Sequence, residues 1–277
     1  MEHFPAWMDN PSTYQDRMVD VDCVVHCAGA IKALNLNGFM EVNADSAGAV
    51  ATAATNAGVP RILLISSIAA RGPLLSEGQT EFSPVSMYGQ SKLEGEIKVR
   101  IQSDLKEVSV LRPPPVYGPR DHGMLDVFKM AQKGWFPTLG RGEARFGIIH
   151  GDDLARAVFA LASIAGPLPP GPFYPEDGTR CSMSELADAF EQAVGRKLKR
   201  PRLPEWLLWT AGSFASGWSQ LTRRSSVFSL DKVREMTAPS WENHNDELIA
   251  ATGWTPDIPL VEGLKSTYEW YRQHGWL

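Results

Sequence analysis

Short apolar runs that alternate with helical segments constrain this fold more than any other feature of the sequence. Apolar runs at 21–28 (VDCVVHCA), 61–66 (RILLIS) and 108–112 (VSVLR) predict strands. Between them lie an alanine-rich segment, 42–57, and the segment 88–102, both of helical character. Strands that alternate with helices in this way indicate a parallel sheet covered by helices. We therefore predict an α/β fold with a doubly wound parallel sheet.

A composition break divides the chain. After a predicted helix at 152–165 comes the proline- and glycine-rich stretch 166–175 (GPLPPGPFYP), and the residues beyond it are helical in character and rich in tryptophan. A length of 277 residues with 43% apolar residues suits one large domain or a domain plus a lobe. We predict a sheet domain over 1–165 and a smaller, mostly helical C-terminal lobe over 166–277, partly interleaved with the first.

Charge and cysteine content exclude several classes of protein. A net charge of -5 and only short basic clusters argue against a nucleic acid partner. The three cysteines, Cys23, Cys27 and Cys181, form no even framework, and we interpret them as small buried side chains in a reducing cytosol. Metal-ligand spacing such as H-E-x-x-H and the G-x-S-x-G elbow of hydrolases are both absent.

Two segments bear on targeting and on membrane insertion. The start, MEHFPAWMDNPSTYQD, has no export signal, which predicts a cytoplasmic protein. A long stretch without charge, 206–222, is interrupted by glycine and serine and predicts a lid or interface helix, with no integral membrane span. Four aromatic residues lie on one helical stripe in it, and we interpret that stripe as lobe core. They are Trp206, Trp209, Phe214 and Trp218.

Candidate catalytic residues follow the predicted strands. In an open parallel sheet, ligands bind beyond the carboxyl ends of the strands, where Ser66 and Ser67 lie. Tyr88 and Lys92 are four residues apart on a predicted helix, so their side chains share one face. An ammonium close to a phenol favours the phenolate, so we expect Lys92 to lower the pKa of Tyr88. Tyrosine then serves as a proton donor and acceptor, with the Ser67 hydroxyl holding the substrate oxygen.

The order of these motifs resembles a known family. The runs VDCVVHCAGA, EVNADSAGAV, ILLISSIAARG, YGQSKLEGE, LRPPPVYGPRD and IIHGDDLARAV, between residues 19 and 165, resemble the extended short-chain dehydrogenase/reductases, the NAD-dependent epimerase/dehydratase family. The closing GWTPDIPLVEGLKSTYEWYRQHGW is similar to the family's last helix. The resemblance implies an NAD(P)-dependent oxidoreductase with a Rossmann-like domain over 1–165 and a substrate-binding lobe over 166–277.

The resemblance also implies roles for individual residues. Tyr88 would be the general acid/base, Lys92 would bind the nicotinamide ribose, and Ser67 would orient the substrate oxygen. Further cofactor contacts are implied on the adenosine side and at the nicotinamide end. They are Ala28 and Gly29 for the former, and Ser66, Pro113 and Val116 for the latter. Asn43 would be mainly structural, and a homodimer would form through helices that include 88–102.

The lack of a glycine-rich turn is the largest departure of this sequence from the family. Its members open with a strand and a G-x-x-G-x-x-G turn whose N–H groups hold the pyrophosphate. In this sequence the only G-x-G, Gly140 to Gly142, follows no predicted strand and opens no helix. We therefore expect a Rossmann-like domain without its first strands, and weak or no binding of NAD or NADP by the 277-residue chain. The choice between NAD and NADP stays open.

The expected substrate differs from a nucleotide sugar. Nucleotide-sugar members usually carry Asn near the position of Pro115 and Arg near that of Phe146, and dehydratases usually follow the catalytic Ser/Thr with Asp-Glu, where Ile68 and Ala69 stand here. The sequence is more similar to the branch of 3β-hydroxysteroid dehydrogenases and dihydroflavonol reductases. This predicts hydride transfer to or from an apolar secondary alcohol or ketone. A nucleotide-sugar epimerase, and a truncated non-catalytic homologue that acts as a binding or assembly protein, are the alternatives.

Other polar residues have structural interpretations. His26 and His150 lie at strand ends and are interpreted as hydrogen-bonded structural residues. Asp152 and Asp153 precede a predicted helix, where a carboxylate caps free N–H groups.

Overall fold

Three parallel strands form the centre of the molecule. The computed structural model describes residues 5–8, 10–74, 82–102, 107–139, 144–223 and 229–277. The strands are β1 (Cys23–His26), β2 (Arg61–Ile65) and β3 (Glu107–Leu111), in the order β1-β2-β3. Their side chains are mostly apolar because helices cover both faces, which confirms the predicted α/β class and the three predicted strands.

A residue within the composition break extends this sheet. The N–H of Phe173 donates to the carbonyl of Val110 at 2.8 Å, and the N–H of Arg112 donates to the carbonyl of Phe173 at 2.7 Å. Phe173 therefore lies beside β3, although it falls after residue 165. The segment 166–175 is part of the sheet region as well as a connection to the lobe.

The helices include all those that the sequence predicts. Before β3 they are α1 (Leu36–Met40), α2 (Ser46–Asn56) and α3 (Met87–Gln102), with a wider π-type turn at Glu41–Asp45 that joins the first two. After β3 they are α4 (Leu125–Gln132), α5 (Gly151–Ala162), α6 (Met183–Val194), α7 (Glu205–Thr222), α8 (Leu230–Met236), α9 (Asp246–Thr252) and α10 (Leu260–Gln273). Single 3-10 turns lie at Pro11–Thr13, Gln15–Met18 and Ile68–Ala70.

Short strands pair outside the central sheet. Two-residue strands at β4 (Val116–Tyr117), β5 (Thr138–Leu139), β6 (Arg145–Phe146), β7 (Ile149–His150), β8 (Cys181–Ser182) and β9 (Arg202–Leu203) form the pairs β4-β7, β5-β9 and β6-β8. The first two pairs are parallel and the third is antiparallel. The β5-β9 and β6-β8 pairs join segments on either side of the composition break.

One hydrophobic core also spans the break. Tyr117 and Phe128 from the first part pack with Phe190 of α6 and with Leu264 and Tyr271 of α10, all of them buried. The rings of Phe128 and Tyr271 meet edge to face with their centroids 5.1 Å apart. The C-terminal helix is thus anchored by aromatic packing on the sheet domain.

Two glycines let α3 approach its neighbours at backbone distance. A Cβ atom at Gly89 would overlap the carbonyl oxygen of Ala69, and one at Gly95 would overlap that of Asn43. Without those side chains α3 packs directly on the turn after β2 and on the π-type turn before α2. This close packing brings the residues of α3 to the ends of the strands.

Two sequence interpretations of apolar residues are wrong. The aromatic stripe of α7 is not lobe core, because Trp206, Phe214 and Trp218 are mostly exposed and Trp209 is partly exposed. The helix packs on α8 through the opposite side, where Leu208 and Gly212 are buried. Of the cysteines, only Cys181 is buried; Cys27 lies just past the end of β1 and is exposed. In the described part of the chain, no helix is both long and apolar enough to cross a membrane.

Candidate functional site

The carboxyl ends of the three parallel strands meet at one edge of the sheet, and the predicted site residues follow them. Ala28 and Gly29 follow β1 and are exposed, Ser66 and Ser67 follow β2, and Pro113 follows β3. Val116 begins β4 and is half-buried. The structure therefore brings the predicted residues of all three strands to the same edge.

Hydrogen bonds hold the turn that carries Ser67. The Ser67 Oγ accepts from the N–H of Ala69 at 3.1 Å, and the N–H of Ile68 donates to the carbonyl of Pro113 at 3.0 Å. The turn is thus tied to the end of β3, and the Ser67 hydroxyl has a defined orientation. Ile68 and Ala69 are buried in this turn, so apolar residues occupy the positions where dehydratases carry acids.

Tyr88 lies in the first turn of α3 beside Ser67. Burial raises the pKa of its phenol to about 12; a hydrogen bond with the Ser67 side chain lowers it, and the charge of Glu235 raises it further. The expectation that Lys92 brings this pKa down is wrong for the chain by itself, because desolvation dominates. At neutral pH Tyr88 is therefore a protonated phenol, hydrogen-bonded to Ser67.

Lys92, one turn further along α3, is buried beneath the strand ends. Its Nζ donates to the carbonyl of Ile65 at 2.7 Å. Burial lowers the pKa of Lys92 to about 8, while Glu96 and Cys27 raise it. The same ammonium helps to keep His26 neutral: burial and then Lys92 lower the pKa of His26 to about 4.

Asn43 joins the loop after β1 to α3. Its amide Nδ2 donates to the carbonyl of Ala30 at 3.0 Å and to the Oγ of Ser91 at 2.9 Å, and its Oδ1 accepts from the N–H of Ala30 at 2.7 Å. A Cβ at Gly29 would lie 3.0 Å from this Oδ1 and 3.6 Å from Lys92 Nζ. The glycine thus leaves open a space next to the Lys92 ammonium, and the interactions of Asn43 agree with the structural role predicted for it.

A buried ion pair behind the site was not predicted. Glu96 receives hydrogen bonds from Arg112, Nε to Oε1 at 2.9 Å and Nη2 to Oε2 at 2.7 Å. Ser66 Oγ also donates to Glu96 Oε1 at 2.5 Å. Arg112 further donates from Nη1 to the hydroxyl of Tyr174 at 2.9 Å. This network fixes α3 against the ends of β2 and β3, one helical turn from Lys92. A signal was present in the sequence, since Glu96 lies four residues after Lys92 on the same helix.

Two acids of α8 at the start of α3 were missed as well. The Asp231 carboxylate accepts from the backbone N–H of Met87 at 2.7 Å and of Tyr88 at 3.3 Å, so it caps the helix that carries Tyr88. Glu235 accepts a hydrogen bond from Ser86 Oγ at 2.6 Å. Residues of α8 thereby set the position of Tyr88. No local sequence pattern could reveal this contact, because these residues lie more than a hundred positions apart.

Among the histidines and aspartates, the interpretation of His150 agrees with the structure, and those of His26 and of the two aspartates are wrong. His26 Nε2 is buried without a hydrogen-bond partner in the described structure, so His26 is not hydrogen-bonded there. His150 caps α5, accepting from the N–H of Asp152 at 3.2 Å through Nδ1, although its Nε2 has no partner. Asp152 and Asp153 lie inside the first turn of α5 and do not cap it. Buried Asp153 accepts from the N–H groups of Asp257 and Ile258, each at 3.0 Å.

The structure also describes Pro115 and Phe146, the positions at which this sequence differs from nucleotide-sugar enzymes. Pro115 is exposed, and its carbonyl accepts from the N–H of Ile149 at 3.1 Å. Phe146 packs against the main core. The neighbouring Arg145 donates to the carbonyl of Arg180 at 2.6 Å and to Glu185 at 3.4 Å, so its guanidinium is engaged within the chain. The segment Gly140 to Gly142 lies outside the described residues.

A parallel sheet whose strand ends carry small and hydroxylated residues, with helices on both faces, defines a Rossmann-fold protein. A family model agrees, since residues 8–169 match the NAD dependent epimerase/dehydratase family. The chain belongs to this NAD-dependent family of oxidoreductase-type enzymes.

Individual relatives add detail. A ceramide reductase of Caulobacter vibrioides is 34% identical over 256 residues, which cover 91% of this chain and 75% of that protein. The Bordetella bronchiseptica enzyme WbmG, solved with NAD and UDP, has a TM-score of 0.73 at 20% identity and is matched over 99% of this chain and 80% of its own. The UDP-glucuronic acid 4-epimerase of Bacillus cereus, solved with NAD, has a TM-score of 0.71 at 16% identity, with 92% and 76% covered. At such identities these structures establish the fold.

Proposed function

We propose that this protein is an NAD(P)-dependent reductase of an apolar ketone, with Ser67, Tyr88 and Lys92 as its catalytic set. The observation that carries the proposal is the placement of Tyr88 in the first turn of α3, hydrogen-bonded to Ser67 at the end of β2; burial raises its pKa to about 12, so the phenol is protonated. A protonated phenol beside a second hydroxyl is suited to donating a proton to a carbonyl oxygen that gains charge. This arrangement favours reduction of a ketone to a secondary alcohol.

Ser67, Tyr88 and Lys92 would each have a separate role in this reaction. The Ser67 hydroxyl, oriented by the Ala69 N–H, would hold the carbonyl oxygen of the substrate next to the Tyr88 phenol. Tyr88 would give its proton to that oxygen as the carbonyl carbon is reduced. Lys92 is protonated at neutral pH, with a pKa of about 8, and would offset the negative charge left on Tyr88 until solvent reprotonates it.

The nicotinamide end of a dinucleotide fits the residues at the strand ends. Gly29 leaves space beside Lys92 Nζ, and that ammonium uses one hydrogen bond, to Ile65, within the described residues, which leaves donors for ribose hydroxyls. Ser66, Pro113 and Val116 would line the same end, with Ala28 next to Gly29. When bound, the reduced cofactor supplies the hydride. NAD and NADP are both candidates for this cofactor.

The substrate class is supported by one relative and by two site features. The Caulobacter relative is named a ceramide reductase, and a ceramide carries a secondary alcohol on a long-chain base. In this chain Ile68 and Ala69 follow Ser67, and Arg145 is held by Arg180 and Glu185. Neither feature favours a sugar phosphate. We therefore propose the keto form of a ceramide-like lipid as the substrate.

The test is reduction of an N-acyl long-chain ketone by the full chain, with NADH and NADPH each raised until the rate saturates. The expected result is a secondary alcohol found by chromatography and mass spectrometry. Tyr88→Phe should lower kcat by about a hundredfold or more, because general acid catalysis contributes at least that much. Tyr268→Phe, which changes a half-buried tyrosine of α10, is the matched control and should retain activity.

Each alternative has its own outcome in this assay. Conversion of a UDP-sugar to its epimer without net consumption of cofactor would replace the proposal with a nucleotide-sugar epimerase. Folded protein that neither reduces the ketone nor changes a sugar at any cofactor concentration would favour a non-catalytic binding or assembly protein. The proposal also fails if Tyr88→Phe and Tyr268→Phe are equally active.

A homodimer through α3 is part of the proposal. Ile97 and Ile101 on that helix are exposed, and they are the apolar side chains that a second α3 would cover. Sedimentation equilibrium of the full chain measures this directly.

A further inference from the structure

Helix α7 presents a continuous apolar face to solvent. Its exposed large side chains include Trp206, Leu207, Phe214, Trp218 and Leu221. At about 100° per residue, these five fall on an arc of roughly 120°, opposite the side that packs on α8. Leu208 and Gly212 form that packed side, where a Cβ at Gly212 would come within 2.7 Å of Val233. A helix that turns its aromatic side chains to solvent and its glycine to the protein offers an apolar surface for a contact outside the chain.

Polar groups on this face are already satisfied. The Thr210 hydroxyl donates to the carbonyl of Leu207 at 2.9 Å, and that of Ser213 donates to the carbonyl of Trp209 at 2.7 Å. No acidic or basic side chain lies between Trp206 and Thr222. The face can therefore leave water without breaking hydrogen bonds to these hydroxyls or burying a charge. A protein interface normally requires about one hydrogen bond per 100–200 Å², and on this face only Gln220, at the margin, carries a side-chain amide.

Basic residues stand at both ends of the helix. Arg202 lies in β9, just before α7, and Arg223 ends the helix; both are exposed and make no ion pair within the described residues. Lys199, before β9, stacks on Trp135, its Nζ 5.3 Å from the ring centroid, and Trp135 is itself partly exposed. Glu205, exposed in the first turn of α7, partly offsets the charge at the N-terminal end, but Lys199, Arg202 and Arg223 still leave basic residues at both ends of the apolar face, which matches a bilayer surface with anionic headgroups.

We infer that α7 is an interfacial helix that docks this protein on an anionic lipid surface, with its axis in the plane of the membrane. The aromatic side chains would enter the boundary between headgroups and acyl chains, and the arginines would lie at the level of the phosphates. The inference depends on α7 and its flanks alone, so it stands or falls separately from the reductase proposal.

The experiment is co-sedimentation of the full chain with vesicles of phosphatidylglycerol and phosphatidylcholine, compared with phosphatidylcholine alone. We expect binding to the anionic vesicles that weakens with salt, and much weaker binding to the neutral ones. The variant Phe214→Ser/Trp218→Ser should bind at least about tenfold more weakly, since each removes a large buried apolar side chain at the interface. Circular dichroism shows whether the variants are folded.

A matched control separates this face from exposed aromatics in general. Phe159 on α5 is 73% exposed and Phe214 is 75% exposed, so Phe159→Ser removes as much apolar surface as the single variant Phe214→Ser; Phe214→Ser should weaken vesicle binding and Phe159→Ser should leave it unchanged. Equal loss from both variants, or equal binding to neutral and anionic vesicles, would overturn the proposal. So would a dimer that dissociates in Phe214→Ser and binds no vesicles, because α7 would then face a second copy of the chain.

Discussion

Helices α3 and α7 are of similar length but have opposite relations to the rest of the chain. α3 uses glycines to reach the backbone of its neighbours and buries Lys92 and Glu96, whereas α7 turns its glycine and leucine inward and its aromatics outward. One helix buries ionisable groups and the other exposes apolar ones, the reverse of the usual arrangement. Each departure costs stability on its own, and each lies where we propose a function. In α3 the buried ionisable groups belong to the candidate catalytic site, and in α7 the exposed apolar groups belong to the proposed membrane-binding face.

The largest effect should come from breaking the ion pair under α3. Arg112→Met leaves the Glu96 carboxylate buried without its guanidinium, and we expect a loss of about 3–5 kcal/mol in the free energy of unfolding. Lys232→Met removes an exposed partner of Glu235 beside α7 and should cost about 0.5 kcal/mol or less. Urea unfolding of both variants measures the difference. Similar losses would contradict the special role of the buried pair, and Glu96→Leu/Arg112→Met should recover much of the stability.

Adding one methyl group tests the packing of the two helices. Gly95→Ala places a Cβ against the carbonyl oxygen of Asn43, so α3 must shift, and we expect a net loss of about 1–3 kcal/mol. In α7 a Cβ at Gly217 meets nothing within 4 Å, so Gly217→Ala should add about 0.5–1 kcal/mol through helix propensity. Thermal and urea unfolding measure whether each variant gains or loses stability. A gain in both variants would show that α3 has room to move.

The pH dependence of stability gives a smaller expected effect than the buried ion pair. Burial lowers the pKa of Lys92 to about 8, so the fold favours the neutral amine, and stability from this group is lost as pH falls from above 10 through 8. At pH 7 the ammonium is buried at a cost, and Lys92→Met should raise the free energy of unfolding by about 1–2 kcal/mol while removing activity. The gain should shrink as pH rises beyond 8. Glu205→Gln, at the exposed start of α7, should show no such trend over that range.

The sequence predicts local elements well and their surroundings poorly, as these two helices show. The strands and α3 follow from apolar runs and from the Tyr88 to Lys92 spacing, because those signals are set by neighbours in the chain. The aromatic spacing of α7 predicts one apolar face but does not say what that face contacts, and the interpretation as lobe core is wrong. Periodicity specifies a direction from the helix axis, and only the tertiary structure specifies what lies there.

The sequence likewise predicts some residues of the candidate site and not others. The strand-end residues Gly29, Ser67 and Pro113 come from positions that a parallel sheet makes predictable. The pKa of Tyr88 was predicted in the wrong direction, because the spacing to Lys92 does not show the burial that raises it. Asp231 and Glu235 were missed since their contact with α3 depends on how the lobe packs. The roles of Ser67, Tyr88 and Lys92 themselves stay a prediction that the kinetic variants test.

The place of Phe173 in the sheet has a consequence for dividing or recombining this protein. Cutting the chain at the composition break would leave a sheet fragment whose backbone at Val110 and Arg112 loses its partners, since Phe173 supplies both hydrogen bonds. An exposed strand edge of that kind is an aggregation hazard. Chimeras that exchange the C-terminal part between relatives should therefore be joined after residue 174. The sheet then keeps the two hydrogen bonds that Phe173 makes beside β3.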